Sequence, residues 1–226
     1  MAKFREVPWV RIGVESVTIV ASILLAFGID AWWAARQERQ AELLILQQLR
    51  TVLEADLVDI RVGLDWALDN KGRLQDLLHR LRGTDRLGAE IRPLFGAVSE
   101  WITVNTRRRM GPYEELKNDG FSLISDSSIR TQLIDLYEIQ LPSAENTADA
   151  DFSLNQVLPY MYQRFYGYDD LRWTPIDGYD SLRNDVYFMN LVGAKESRLE
   201  RFTIPRMERA AAAIEDFISE LNEKMP

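Results

Sequence analysis

Asp149, Asp151, Ser153 and Asn155 stand at positions 1, 3, 5 and 7 of DADFSLNQVLPY, where a calcium loop carries its oxygen ligands. Position 6 is Leu154 where such a loop needs glycine, and position 12 is Tyr160 where it needs a bidentate carboxylate. A helix start with acidic residues in its first turn explains the stretch better. His79 is the single histidine and the chain has no cysteine. Cys-ligated metal, disulfides, thiol catalysis and His-rich metal sites are therefore excluded. A Ser-His-Asp triad would have to use His79, which the pattern places on a helix surface. There is no Gly-x-Ser-x-Gly turn and no Gly-rich phosphate loop. The reading expects no catalytic residue, no cofactor site and no metal site.

Two sets of residues offer binding chemistry instead. Arg107, Arg108 and Arg109 could hold a carboxylate-rich or phosphate-bearing partner, although a solvated helix C-terminus accounts for them more simply. Tyr168, Trp173 and Tyr179 fall in a turn-rich stretch, GYDDLRWTPIDGYD, where exposed aromatics would serve as interface anchors.

The strongest signal lies at the N-terminus. Between Arg11 and Asp30, the 18 residues Ile12–Ile29 are apolar or small except Glu15. As a helix they reach about 27 Å, close to the roughly 30 Å hydrocarbon core of a bilayer. Ten of them are Val, Ile, Leu or Phe, and together these favour insertion by about 3 to 6 kcal/mol. A carboxylate at the centre would cost about 3 kcal/mol, but Glu15 lies within a turn of the end, where the cost is smaller. Trp9 on one side and Trp32 and Trp33 on the other take the positions of an aromatic belt. A signal peptide is the competing reading, with Lys3, Arg5 and Arg11 as its basic region and Ala26–Gly28 as a passable cleavage site. The tryptophans at both borders fit poorly with a buried helix of a soluble protein. A retained transmembrane helix over 12–30 is expected.

Glu15, Thr18, Ser22, Ala26 and Asp30 are spaced 3, 4, 4 and 4 apart, so they share one helical face. Small and polar residues on one side of a membrane helix permit close approach and cross-helix hydrogen bonds. This face is read as an association face. Basic residues before the span exceed those just after it, which places the N-terminus (1–11) in the cytoplasm and residues 31–226 outside it. The net charge of −8 falls entirely on residues 31–226, because the charges before residue 31 cancel. That acidity disfavours nucleic acid as a partner.

The rest of the chain must present whatever function exists. Leu43, Leu46, Leu49, Leu53, Leu57, Ile60, Leu64 and Ala67, then Leu74, Leu77, Leu78 and Leu81, recur at steps that mark one long amphipathic helix over 31–82. RGTDRLGAEIRP reads as a turn. Further helices are expected at about 94–119, 126–166 and 181–224, the last one bent at Pro205. Strand signals are scarce. The fold class expected is all-α, with one N-terminal transmembrane helix continuing into an antiparallel helical bundle.

Two stretches resemble an uncharacterised bacterial family of single-pass membrane proteins. Gly13, Glu15, Ala26, Asp30 and Trp33 stand where that family carries its Gly-x-Glu start, Ile-Ala-Leu run and Asn-Trp-Asn-Glu exit. PYEELKNDGFSLISDSSIRTQLIDLYE (Pro112–Glu138) is similar to its Tyr-x-Glu-Leu, Gly, Leu-Ile motif. Asp30-Ala31-Trp32 replaces the paired asparagines and Asp119 replaces a common serine. The resemblance implies a single-pass helical protein and no activity.

These observations fit a non-catalytic accessory or structural subunit of a larger complex in the bacterial inner membrane, such as a respiratory or photosynthetic one. Its partners would be the lipid bilayer and other membrane subunits, or further copies of itself. The alternative is an extracytoplasmic ligand-sensing bundle that signals through a partner.

Overall fold

The computed structural model describes residues 9–101, 109–145, 147–166 and 173–224. Helix α1 runs from Trp9 to Arg82. The apolar residues at steps of 3 and 4 give it a face to bury, and no proline interrupts it. Gly83 ends it: its N–H donates to the His79 and Arg80 carbonyls at 3.0 and 3.2 Å. His79, Arg80 and Arg82 crowd the last turn, where the helix dipole favours cations.

The chain divides into two units, residues 1–47 and 48–226. In the first, every residue from Glu15 to Gln40 is exposed. This part of α1 is the one described helix long and apolar enough to cross a membrane.

Among its described residues, the regular structure of the second unit is helical apart from one two-stranded antiparallel pair. A 3-10 helix over Ala89–Leu94 leads into α2 (Phe95–Ser99). Helix α3 covers Gly111–Asn118 and α4 covers Ser127–Asp135. Then come α5 (Leu141–Ala144), α6 (Thr147–Phe152) and α7 (Leu158–Arg164). Strands β1 (Phe165–Tyr166) and β2 (Thr174–Pro175) pair antiparallel, with Phe165 opposite Pro175. A second 3-10 helix over Tyr179–Asn184 precedes α8 (Val186–Arg198) and α9 (Ile204–Lys224).

Three π turns break these helices, over Leu136–Gln140, Ser153–Val157 and Leu199–Thr203. Each ends two residues before a proline: Pro142, Pro159 and Pro205. The residue ahead of each proline donates to a carbonyl five residues back: Leu141 to Leu136, Leu158 to Ser153, Ile204 to Leu199. Proline supplies no N–H and its ring crowds the preceding turn. Widening that turn by one residue accommodates the ring without ending the helix.

One core cluster gathers Leu74 and Leu77 of α1, Phe95 and Val98 of α2, Met161 of α7 and Phe188, Leu191 and Val192 of α8. In α9, Met207, Ala210, Ile214, Phe217 and Leu221 are buried at steps of 3 and 4, and α9 meets α4 and α5. Within the Pro112–Glu138 motif, Tyr113, Leu116, Ile124, Ile129, Leu133, Leu136 and Tyr137 are all buried.

Three expected helices are corrected. The helix expected from residue 94 stops at Ser99, because Glu100 turns extended with ψ 155°; residues 102–108 lie outside the described part. The single helices expected over 126–166 and 181–224 are likewise divided, the first into α4, a π turn, α5, α6, a π turn, α7 and β1, the second into a 3-10 turn, α8, a π turn and α9.

Candidate functional site

Glu15, Thr18, Ser22, Ala26 and Asp30 are all exposed. Ser22 Oγ donates to the Thr18 carbonyl at 2.8 Å, so the hydroxyl is satisfied within its own helix. Around this face Val17, Ile19, Val20, Ile23, Leu24, Leu25, Phe27 and Ile29 are exposed as well. Trp32 and Trp33 lie with ring centroids 6.3 Å apart, and the Arg36 guanidinium sits 5.8 Å over the Trp32 ring. The Trp9 side chain lies outside the described residues.

The expected partner contacts fare differently. Arg107, Arg108 and Tyr168 lie outside the described residues. Arg109 is engaged within the chain: Nη1 is 2.7 Å from both Asp56 Oδ1 and Asp59 Oδ2. Asp56 is buried. Its carboxyl is pushed up by burial, against the opposing pull of Arg109.

Trp173 is corrected from an exposed anchor to a core residue. It is 1% exposed and its Nε1–H donates to Ser99 Oγ at 3.1 Å. Tyr179 is half-buried, with its ring parallel to Phe95 at 6.3 Å, and its hydroxyl accepts from Arg92 Nη2 at 2.8 Å. The physical reason is the short strand pair, in which Phe165 opposite Pro175 and Tyr166 opposite Thr174 hold the chain beside Trp173 against the core. Among the described residues nearby, Tyr162, Tyr166 and Tyr187 are exposed.

The sequence reading also missed two polar clusters inside the second unit, each touching a π turn. The first centres on Lys195 of α8, which is fully buried. Its Nζ donates to Ser153 Oγ at 2.6 Å and to the Glu100 carbonyl at the end of α2. Asp149 is buried alongside and neither of its carboxylate oxygens accepts a hydrogen bond. Burial pushes the Lys195 ammonium down to about 8, against the pull of Asp149 and Glu100. Burial likewise raises the Asp149 carboxyl, with Lys195 and Arg198 opposing. A lysine beside a serine hydroxyl is a pairing able to activate a nucleophile. Here both groups are shut off from solvent, and the lysine protons go to a helix-terminal carbonyl and a π-turn hydroxyl. The arrangement ties α2, the second π turn and α8 together. A signal for it existed: Lys195 falls four residues after Leu191 and four before Leu199, within the apolar stripe of α8.

The second cluster surrounds the first π turn. The Tyr113 and Tyr137 rings stack at 4.3 Å. Tyr113 Oη and Lys117 Nζ both reach Glu138 Oε1 at 2.7 Å. Lys117 and Tyr113 hold the Glu138 carboxyl below its usual range. The Tyr137 hydroxyl and Asp56 Oδ2 are buried and find no hydrogen-bond partner.

Among the described residues no group of three or more His, Asp or Glu could hold a metal ion. Compared with protein-family models, curated proteins and solved structures, the chain finds no match.

Proposed function

We propose that the protein is a non-catalytic single-pass protein of the bacterial inner membrane that acts as an accessory subunit of a larger membrane complex. Residues 12–30 span the bilayer, the N-terminus is cytoplasmic, and the helical domain lies outside the cytoplasm. In this reading the chain belongs with the single-pass family that its two motifs resemble.

The observation that carries the reading is the unbroken exposure of α1 from Glu15 to Gln40. Eight large apolar side chains between Val17 and Ile29 are exposed. Leaving them in water forfeits on the order of 10 kcal/mol, as much as the whole net stability of a typical domain. A bilayer removes that cost, and neighbouring membrane helices remove it along the Glu15–Asp30 face. Exposed Trp32 and Trp33, with Arg36 beside them, suit the headgroup level.

A reporter fused to the C-terminus and active only outside the cytoplasm should score positive. Extraction in a gentle detergent followed by mass spectrometry should recover a fixed set of membrane partners or a homo-oligomer. A reporter active only in the cytoplasm scoring positive would overturn the orientation. Recovery of a lone monomer would overturn the assembly role.

A further inference from the structure

Asp56 of α1 is 1% exposed, and a single donor among the described residues holds its charge. Arg109 Nη1 reaches Asp56 Oδ1 at 2.7 Å, while Asp56 Oδ2 accepts no hydrogen bond there. The same Nη1 lies 2.7 Å from Oδ2 of Asp59, which stands one helical turn further along α1 and is exposed. The charged groups acting on Asp56 are Arg109, which favours its ionised form, and Asp59, which opposes it. Tyr137 of the first π turn brings a buried, neutral hydroxyl to the same neighbourhood. Arg109 immediately precedes Met110, the N-cap of α3. The ion pair therefore clasps the start of α3 to α1.

A buried carboxylate that loses its one cation is costly to keep ionised. With Arg109 in place, burial holds the Asp56 carboxyl above its ordinary range and Arg109 pulls it back down. With Arg109 swung away that pull is gone, and the carboxyl rises further. The unclasped state thus binds a proton more tightly than the clasped one, so acidification favours it. At neutral pH the clasp stays closed, because opening would strand a buried charge. Once Asp56 is neutral, Arg109 keeps only its pair with exposed Asp59, and such pairs hold little. We propose that protonation of Asp56 releases Arg109 and frees the start of α3 from α1. The device is independent of how the chain is anchored or assembled.

The chain has no cysteine, and Gly111 is exposed with nothing within 4 Å of where a Cβ would stand. Gly111→Cys therefore accepts a nitroxide spin label two residues from Arg109, in the full chain held in a neutral detergent. The label should be fixed at about pH 7 and increasingly mobile as the pH falls toward about 4, with a midpoint above the 3.8 of an ordinary aspartate. The ratio of mobile to fixed signal should rise by up to about tenfold per pH unit, the limit for one proton. Asp56→Asn, which copies the neutral carboxyl, should give a mobile label at both ends of the range. Arg109→Met should do the same by removing the clasp. Asp59→Asn should keep the pH step, because the buried carboxylate remains. A label in the parent whose mobility ignores pH would overturn the proposal. So would a step of parental size in Asp56→Asn or Arg109→Met, loss of the step in Asp59→Asn, or a step accompanied by loss of helical circular dichroism.

Discussion

Lys195 shows what a single residue can hold. Fully buried, it bonds a helix-terminal carbonyl and a serine hydroxyl near an unbonded carboxylate. Lys195→Met would keep the volume and strip both acceptors of their donor, leaving Asp149 without its nearest cation. A loss of about 3 kcal/mol is expected in denaturant unfolding at pH 7. The pH dependence has a definite sign. The ammonium is pushed down to about 8 when folded from 10.5 when free. Between those values the unfolded chain binds more protons, so stability rises with pH there. The parent should therefore gain on Lys195→Met by roughly 2 kcal/mol from pH 8 to 9.5. Asp149 contributes with the opposite sign, since burial raises its carboxyl when folded. A constant difference between parent and variant from pH 8 to 9.5 would show that the buried lysine does not titrate with folding.

At the scale of elements, α1 was legible because its pattern is long and strictly periodic. Leu53 and Ile60 sit at 0% exposure where the steps of 3 and 4 put them. Leu53→Asp should cost several kcal/mol, because an unpaired charge would enter the packed stripe. Val58→Asp, on an exposed face of the same helix, should shift the melting midpoint little. Equal midpoints for the two variants would mean that the Leu53 face is solvated. Other elements were less legible. Turn signals around Trp173 showed that the chain bends there, but composition does not say which way a ring faces; the short β1–β2 pairing decides that. Helices 126–166 and 181–224 were readable as helical, whereas the π turns ahead of Pro142, Pro159 and Pro205 were not, because proline permits both a break and a widened turn. Both polar clusters escaped for a related reason. Asp149 and Ser153 read as part of a helix start with acidic residues in its first turn, and only tertiary packing brings Lys195 to them.

For the whole molecule, the central claim is that the exposed N-terminal part of α1 is an assembling membrane segment. Its polar face carries Glu15, Thr18, Ser22, Ala26 and Asp30. The Ser22 hydroxyl already bonds the Thr18 carbonyl, so its small size matters more to a neighbour than its polarity. The most direct measurement is retention with partner, or with a second copy, after gentle detergent extraction of four variants. Ser22→Leu and Ala26→Leu should retain least, because a bulky side chain separates backbones that small residues bring together. Glu15→Gln should be intermediate, weakening assembly by roughly tenfold at most, as cross-helix hydrogen bonds average about 0.6 kcal/mol and reach about 1.7. Leu24→Ala, on the apolar side, should match the parent. Equal retention across all four would contradict the claim and make the segment a plain anchor, with any assembly carried by the helical domain.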